Sequence, residues 1–389
     1  VLGWVAALLM WLAWTPQARA EDRVVVRGNY YREQSTRVLS PEVRVTVDAP
    51  DERLTLGAAY LLDAVSSASI ATGTAVATGG DNVFTELRHE ATGTIGSRLG
   101  PWQLGTFFRY STETDYISRS TGLSLGRDLL QNSLNLSLSY AYNFDRVYRI
   151  FDAQGRRLPW CGGSVEPNCV GGRIKDSNLL QVHYLAAGYT HAVHKAVLLL
   201  GTFEYGHLSG PQDNPYRGML IPGATFEAHP RERNRFALLG SMRWYLPKAR
   251  VTLEPRYRFY ADDWALRTHA IDMRLHVRAT THLRIRFRYR FYIQNEAFLW
   301  RDDMAYSDSD LRCTVDRPEA CASADPKLDD WLSHTAGIQL TYHLDGLAKY
   351  KGLRWLEGGW VQATYNYVHQ TNRYGPIRAL GSLAFSLAF

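Results

Sequence analysis

No uninterrupted apolar run in this sequence reaches the roughly 20 residues that a membrane-spanning helix needs. That excludes a helical membrane protein, although 46% of the 389 residues are hydrophobic. Convincing amphipathic helical patterns are missing too. Cysteine is scarce: there are four, none in a Cys-x-x-Cys pair or beside a His pair, which disfavours a structural zinc site. Phosphate-cradling, haem-attachment and metalloprotease motifs are absent, and no cofactor is expected. The basic excess is small, 44 Lys and Arg against 38 Asp and Glu, and it is dispersed among acids. Nucleic acid is therefore not an expected partner.

The stretch "VLGWVAALLMWLAWTPQARA" (1–20) carries neither an initiator Met nor a basic leader. Its apolar core and the small-x-small triplet Ala18-Arg19-Ala20 nevertheless read as a cleaved secretory signal, leaving 21–389 as one exported domain. Glu21 follows the cut, not Cys, so an N-terminal lipid anchor is not expected. In an oxidising compartment the equally spaced pairs Cys161–Cys169 and Cys313–Cys321 read as two local disulfides.

What the sequence has in abundance is period-two alternation. In "HLRIRFRYRFYI" (282–293), Arg284, Arg286, Arg288 and Arg290 alternate with Leu, Ile, Phe and Tyr. Successive side chains of a strand point to opposite faces, so one face is basic and the other apolar. The pattern recurs in sixteen segments: 23–33, 42–48, 53–63, 84–96, 102–113, 120–126, 133–145, 178–190, 196–207, 235–246, 250–261, 269–279, 282–293, 335–344, 359–368 and 377–389. Segments six and fifteen are the weakest, so fourteen strands is the alternative count.

The connections sort by length. Those after even-numbered segments are short, as in 49–52, 97–101 and 280–281, whereas 64–83, 146–177, 208–234 and 294–334 are long. Short turns at one end and long loops at the other fit an outer-membrane barrel, with the periplasm at the short end. Both cysteine pairs fall in long loops. The apolar faces end in rings such as Tyr140, Tyr142, Phe203, Trp244, Tyr289 and Tyr365, which suit a membrane boundary. A secreted β-sandwich, propeller or solenoid would alternate as well, but without this sorting of loops.

The last segment alternates through Phe385 and Leu387 to a terminal Phe389, and resembles the strand by which Gram-negative outer-membrane proteins are recognised for assembly. "AYLLDAVSSASI" (59–70) is similar to the Tyr-Asp-Ala-[Ile/Val]-Ser-[Gly/Ser]-Ala-[Ser/Thr] stretch of a bacterial outer-membrane family described only as a domain of unknown function. Where that family commonly has Gly and then Ala-Thr-Pro, this chain has Ser67, Ala68, Ser69 and Ile70. The resemblance implies a porin-like barrel in the outer membrane and no particular activity.

A closed barrel is the only sheet whose backbone is satisfied inside a bilayer. The apolar faces then meet lipid, and the arginines line the lumen. Outward, each midplane Arg would cost roughly 2–4 kcal/mol. The basic wall would comprise Arg235, Arg243, Arg256, Arg258, Arg274, His276, Arg278, Arg284, Arg286, Arg288 and Arg290. The acids Glu42, Asp48, Asp63, Glu86, Glu90, Glu113, Asp145 and Glu204 lie on earlier strands. Such segregation sets up a field across a channel, with selectivity fixed by the lining charges. The expected function is passive transport of small, anionic solutes. The rival is a plugged barrel that presents disulfide-braced loops for binding, the small-residue loop 64–83 being a candidate plug. Expected partners are membrane lipid and lipopolysaccharide, the barrel-assembly machinery and small solutes. Catalysis is not expected: "GLSLG" (122–126) matches Gly-x-Ser-x-Gly, but Ser124 sits mid-strand between leucines instead of on a strand-turn-helix elbow. Asp302, Asp303, Asp308 and Asp310 read as a solvated acidic loop in preference to a calcium site.

Overall fold

A computed structural model describes residues 22–33, 36–49, 53–67, 84–150, 157–159, 178–213, 227–301, 313–316, 318–372 and 377–388. The signal segment, Cys161 and Cys169, the acidic stretch 302–312, Phe389 and almost all of the small-residue loop lie outside those residues.

Sixteen strands form one closed antiparallel barrel. They are β1 (Arg23–Arg32), β2 (Thr36–Asp48), β3 (Leu54–Ser67), β4 (Phe84–Leu99), β5 (Trp102–Thr112), β6 (Tyr116–Leu129), β7 (Leu134–Ile150) and β8 (Leu179–His194). The second half comprises β9 (Val197–Ser209), β10 (Glu232–Leu246), β11 (Val251–Asp262), β12 (Arg267–Arg278), β13 (Leu283–Gln294), β14 (Trp331–His343), β15 (Trp360–Gln370) and β16 (Ile377–Ala388). Each pairs with its neighbour in sequence, and β1 pairs with β16 from Arg23↔Ala388 to Arg32↔Ala379, which closes the sheet. A three-residue strand, Arg157–Pro159, pairs with the end of β7 outside the barrel. Among the described residues the only helical pieces are three single 3-10 turns, and no helix is long and apolar enough to cross a membrane.

The alternation explains the two faces. Outward positions carry large apolar groups, Leu123 at 67%, Leu383 at 62% and Phe108 at 52% exposure, which only lipid can satisfy. Inward positions fall into two zones. From β5 to β8 many mid-strand positions are small, and the register sets Gly96 opposite Gly105 and Ser124 opposite Ser139. Gly122 shows why: a Cβ there would meet the Phe107 ring at 2.5 Å and the Tyr140 carbonyl oxygen at 2.8 Å. Ser124 of the Gly-x-Ser-x-Gly match lies mid-strand in β6, with no strand-turn-helix elbow around it. From β10 to β13 the inward positions hold long charged chains.

The loop end is partly roofed. Trp264, Leu299, Trp300, Leu328 and the Cys313–Cys321 disulfide form a small buried core, packed against Tyr260. Backbone bonds between Ala228 and Ala322 tie two loops together. Fully buried Glu227 accepts from Ser323 Oγ at 2.8 Å and from the Ala324 N–H at 3.1 Å. This roof rests on inward-facing residues. Arg233 lies 3.7 Å from the Trp264 ring and pairs with Asp262, while Gln294 Nε2 donates to the Lys327 carbonyl at 2.8 Å. The folded loops therefore lean over the lumen on the β10–β14 side.

Candidate functional site

Strand parity sets the site. In β13 the arginines Arg284, Arg286, Arg288 and Arg290 share the inward face, opposite Arg278, His276, Arg274 and Asp272 of β12. Across β11, Glu254 faces Arg274, and Arg256 faces Asp272. Arg243 and Arg235 of β10 share this face, as does Arg258 of β11. The reach of Arg258 confirms the geometry. Its Nη2 donates at 3.0 Å to Glu204 Oε2 on β9, two strands away, a span available only across the concave interior.

Two acids embedded in the basic wall organise it. Glu254 is 2% exposed and has four basic neighbours, three arginines and a histidine. Arg243 Nε lies 3.0 Å and His276 Nε2 3.2 Å from Oε2, while Arg256 Nε and Arg274 Nη1 lie 3.6 and 3.8 Å from Oε1. Asp272 accepts from Arg274 Nε at 2.9 Å and from both Nε (2.9 Å) and Nη2 (2.6 Å) of Arg288. Sequence reasoning placed neither acid in the site. The signal was present: Glu254 is in phase with Arg256 and Arg258, and Asp272 with Arg274.

These acids do not neutralise the wall. Among the described residues no carboxylate pairs with Arg278, Arg284, Arg286 or Arg290. The buried Nε atoms of Arg235, Arg256 and Arg286 lack a hydrogen-bond partner. A cavity of about 650 Å³ opens toward the turn end, lined by Arg243, Arg250, Arg278, Arg284 and Arg286 against the single acid Glu254. Tethered guanidinium groups around water create a positive field that gathers anions.

The acids of the earlier strands are largely engaged locally. Glu42 pairs with Arg44 at 2.9 Å and Asp63 with Arg88 at 2.5 Å. Buried Asp48 accepts from Thr55, and Asp145 from Tyr116 Oη at 2.6 Å. Glu90 lines a second cavity with Glu42, and Glu204 belongs to the Arg258 pair. The charges thus segregate by wall, but pairing leaves the acidic side weaker than its composition suggests.

At the loop end, Glu86, Glu113 and Asp115 bring carboxylate oxygens within 4.8 Å of one another. Glu113, in the connection between β5 and β6, has its carboxyl pushed up to about 7 by burial, reinforced by the Asp115 charge. Between the ordinary value of 4.5 and about 7 the folded chain holds a proton that the unfolded chain has released, so stability falls as pH rises through that window. Glu113→Gln removes the penalty. Its unfolding midpoint in urea should exceed that of the parent at pH 8 and match it near pH 4.5.

A family model described as "Protein of unknown function (DUF3570)" matches residues 74–355. The chain belongs to that family. Membership rests on a span that begins after the 59–70 stretch, so that motif plays no part in it. Among curated proteins, no sequence matches. The fold is similar to a bacterial polysaccharide outer membrane secretin, with 6% identity, a TM-score of 0.51, and 96% of this chain and 100% of that one covered. It is also similar to CdiB from Acinetobacter baumannii, at 8% identity and a TM-score of 0.52, covering 96% of this chain and 61% of that one. OccD3 of Pseudomonas aeruginosa fits more loosely, at 10% identity and a TM-score of 0.47, with 95% and 90% covered. At these identities the likeness extends to the fold, that of a bacterial outer-membrane barrel.

Proposed function

We propose that this DUF3570 protein is a passive outer-membrane channel that favours small anionic solutes. The observation that carries the reading is the cavity in which five arginines face one glutamate. The small mid-strand side chains on the β5–β8 wall support it, because they leave space opposite the long arginines. The proposal includes export with a cleaved signal, insertion through the assembly machinery by the C-terminal stretch with Phe385, Leu387 and Phe389, and no catalytic step. Single-channel recording in a planar bilayer under a salt gradient tests it. Open steps with an anion-directed reversal potential support the reading. Cation preference overturns the selectivity, and silence from a folded barrel overturns the channel.

One observation favours a second reading. The disulfide-braced loops around Trp264 and Leu299 rest on inward-facing Arg233 and Gln294, so they narrow the mouth on one side. A closed barrel that presents this roof to a binding partner would give the silent outcome.

A further inference from the structure

The outward face of a membrane barrel should be apolar between its boundaries, yet near the loop end of β6 and β7 it holds two arginines. Arg119 shares the face of Leu123 and Thr121, and Arg146 shares that of Tyr140, Tyr142 and Phe144. Their strands are paired, with Ile117 opposite Arg146. The guanidinium of Arg119 lies 5.9 Å from the Phe144 ring centroid and pairs with no acid among the described residues. Arg146 is already engaged, its Nη1 reaching Asn178 Oδ1 at 3.5 Å among its contacts, so Arg119 is the guanidinium that an external anion would chiefly serve.

An aromatic floor continues from them. Tyr142 stacks on Phe144 at 5.7 Å and meets the His183 ring at 4.9 Å. Tyr140 Oη bonds His183 Nδ1 at 2.7 Å, which leaves Nε2 as the second polar atom of an exposed imidazole. Glu232, an acid at the loop end of β10, is already engaged by Ser209 Oγ at 2.6 Å and His207 Nε2 at 3.3 Å. The same Tyr–His bond recurs around the loop-end margin, in Tyr60–His89 at 2.6 Å, Tyr257–His269 at 2.8 Å and Tyr289–His334 at 2.8 Å. A fifth, Tyr189–His191, lies toward the turn end. The β6–β8 sector adds two arginines to this pairing, whereas the β11–β12 sector adds one, Arg267, two residues from His269 on the same face.

An arginine on the lipid side is stable only where it snorkels to an anion or to water. Guanidinium groups match phosphate oxygens bidentately, and nearby rings accept sugar or acyl surface. We propose that Arg119, Arg146 and His183, floored by Tyr140, Tyr142 and Phe144, hold a phosphate group of an acidic lipid headgroup at the loop-end boundary. The patch faces out, bordered below by Leu123 and Leu138, so the phosphate belongs to a lipid and not to a solute in the lumen. The site is independent of whether the lumen conducts.

Native mass spectrometry of the detergent-purified full chain, mixed with diphosphoryl lipid A or with phosphatidylcholine, tests the assignment. The parent should retain lipid A preferentially. Arg119→Gln with Arg146→Gln should lower that retention by about tenfold or more, since each arginine near an anionic surface contributes several-fold. Arg127→Gln, a lone arginine 4.7 Å over the Trp102 ring at the other boundary, should leave it unchanged. Should the double variant fail to fold, lipid A stripped of its phosphates decides on the parent chain, where weaker retention supports the site. Equal retention of stripped lipid A, or unchanged retention by a folded double variant, overturns it.

Discussion

Arg284→Glu combined with Arg286→Glu will abolish the anion preference of the channel without closing it. Both residues line the cavity that holds five arginines and one glutamate, and neither pairs with an acid among the described residues. The double change leaves three arginines against three glutamates, a wall with no net charge. A unit charge about 8 Å from a permeating ion, in a partly wetted lumen, acts with roughly 1 kcal/mol before screening and about half of that in physiological salt. Two charge reversals shift the local energy of a monovalent anion by about 2 kcal/mol, or roughly thirtyfold in occupancy. In a salt gradient the reversal potential should move to zero or cross to the cation side. A conducting variant with the parent's reversal potential would place selectivity elsewhere, whereas a silent parent would reject the channel itself.

How far the sequence discloses such a wall depends on which interactions carry information along the chain. Alternation is local, because each strand reports its own two faces, and a barrel whose strands all pair with sequence neighbours needs nothing more. All sixteen segments correspond in order to β1–β16, including the weak sixth and fifteenth, so the fourteen-strand alternative falls. The discrepancies lie at strand ends. β2 starts at Thr36 instead of residue 42, β6 runs Tyr116–Leu129, and β10 starts at Glu232 instead of residue 235. There the ladder rises past the apolar band, outward positions cease to be apolar, and period two fades although the hydrogen bonds continue.

The site was legible in position and not in balance. Parity sorts Arg284 to Arg290 onto one face, but it does not reveal that Glu254 reaches three arginines and a histidine or that Asp272 binds two arginines, because several of those partners come from neighbouring strands. Counting acids strand by strand left both out. The roof was the least legible element. Trp264, Leu299 and Glu227 are drawn from three separate loops, and no local pattern announces that such segments will share a core.

Glu254 offers the sharpest test of how the wall is held. Its carboxylate is 2% exposed beside three arginines and a histidine, so it is the counter-charge that allows them to crowd one stretch of β10–β12. Glu254→Gln keeps the volume and removes the charge. Arg243 still reaches water, with 49% of its side chain exposed, but Arg274 is only 18% exposed and Arg256 28%. Removing one partner from a buried ionic cluster costs about 3–5 kcal/mol when the remaining charges stay dry. Partial hydration from the lumen brings the expected loss to about 3 kcal/mol, read as a lower urea midpoint for the detergent-folded barrel at neutral pH. Glu254→Gln with Arg274→Gln should recover much of that loss, since Arg243 and Arg256 then repel each other across a wider, wetter gap. Asp272 still holds Arg288 in that double variant, so the rest of the wall is retained. A single variant as stable as the parent would mean that lumenal water already screens the cluster. The arginines would then be free-standing charges that face the channel, and Glu254 would be a bystander among them.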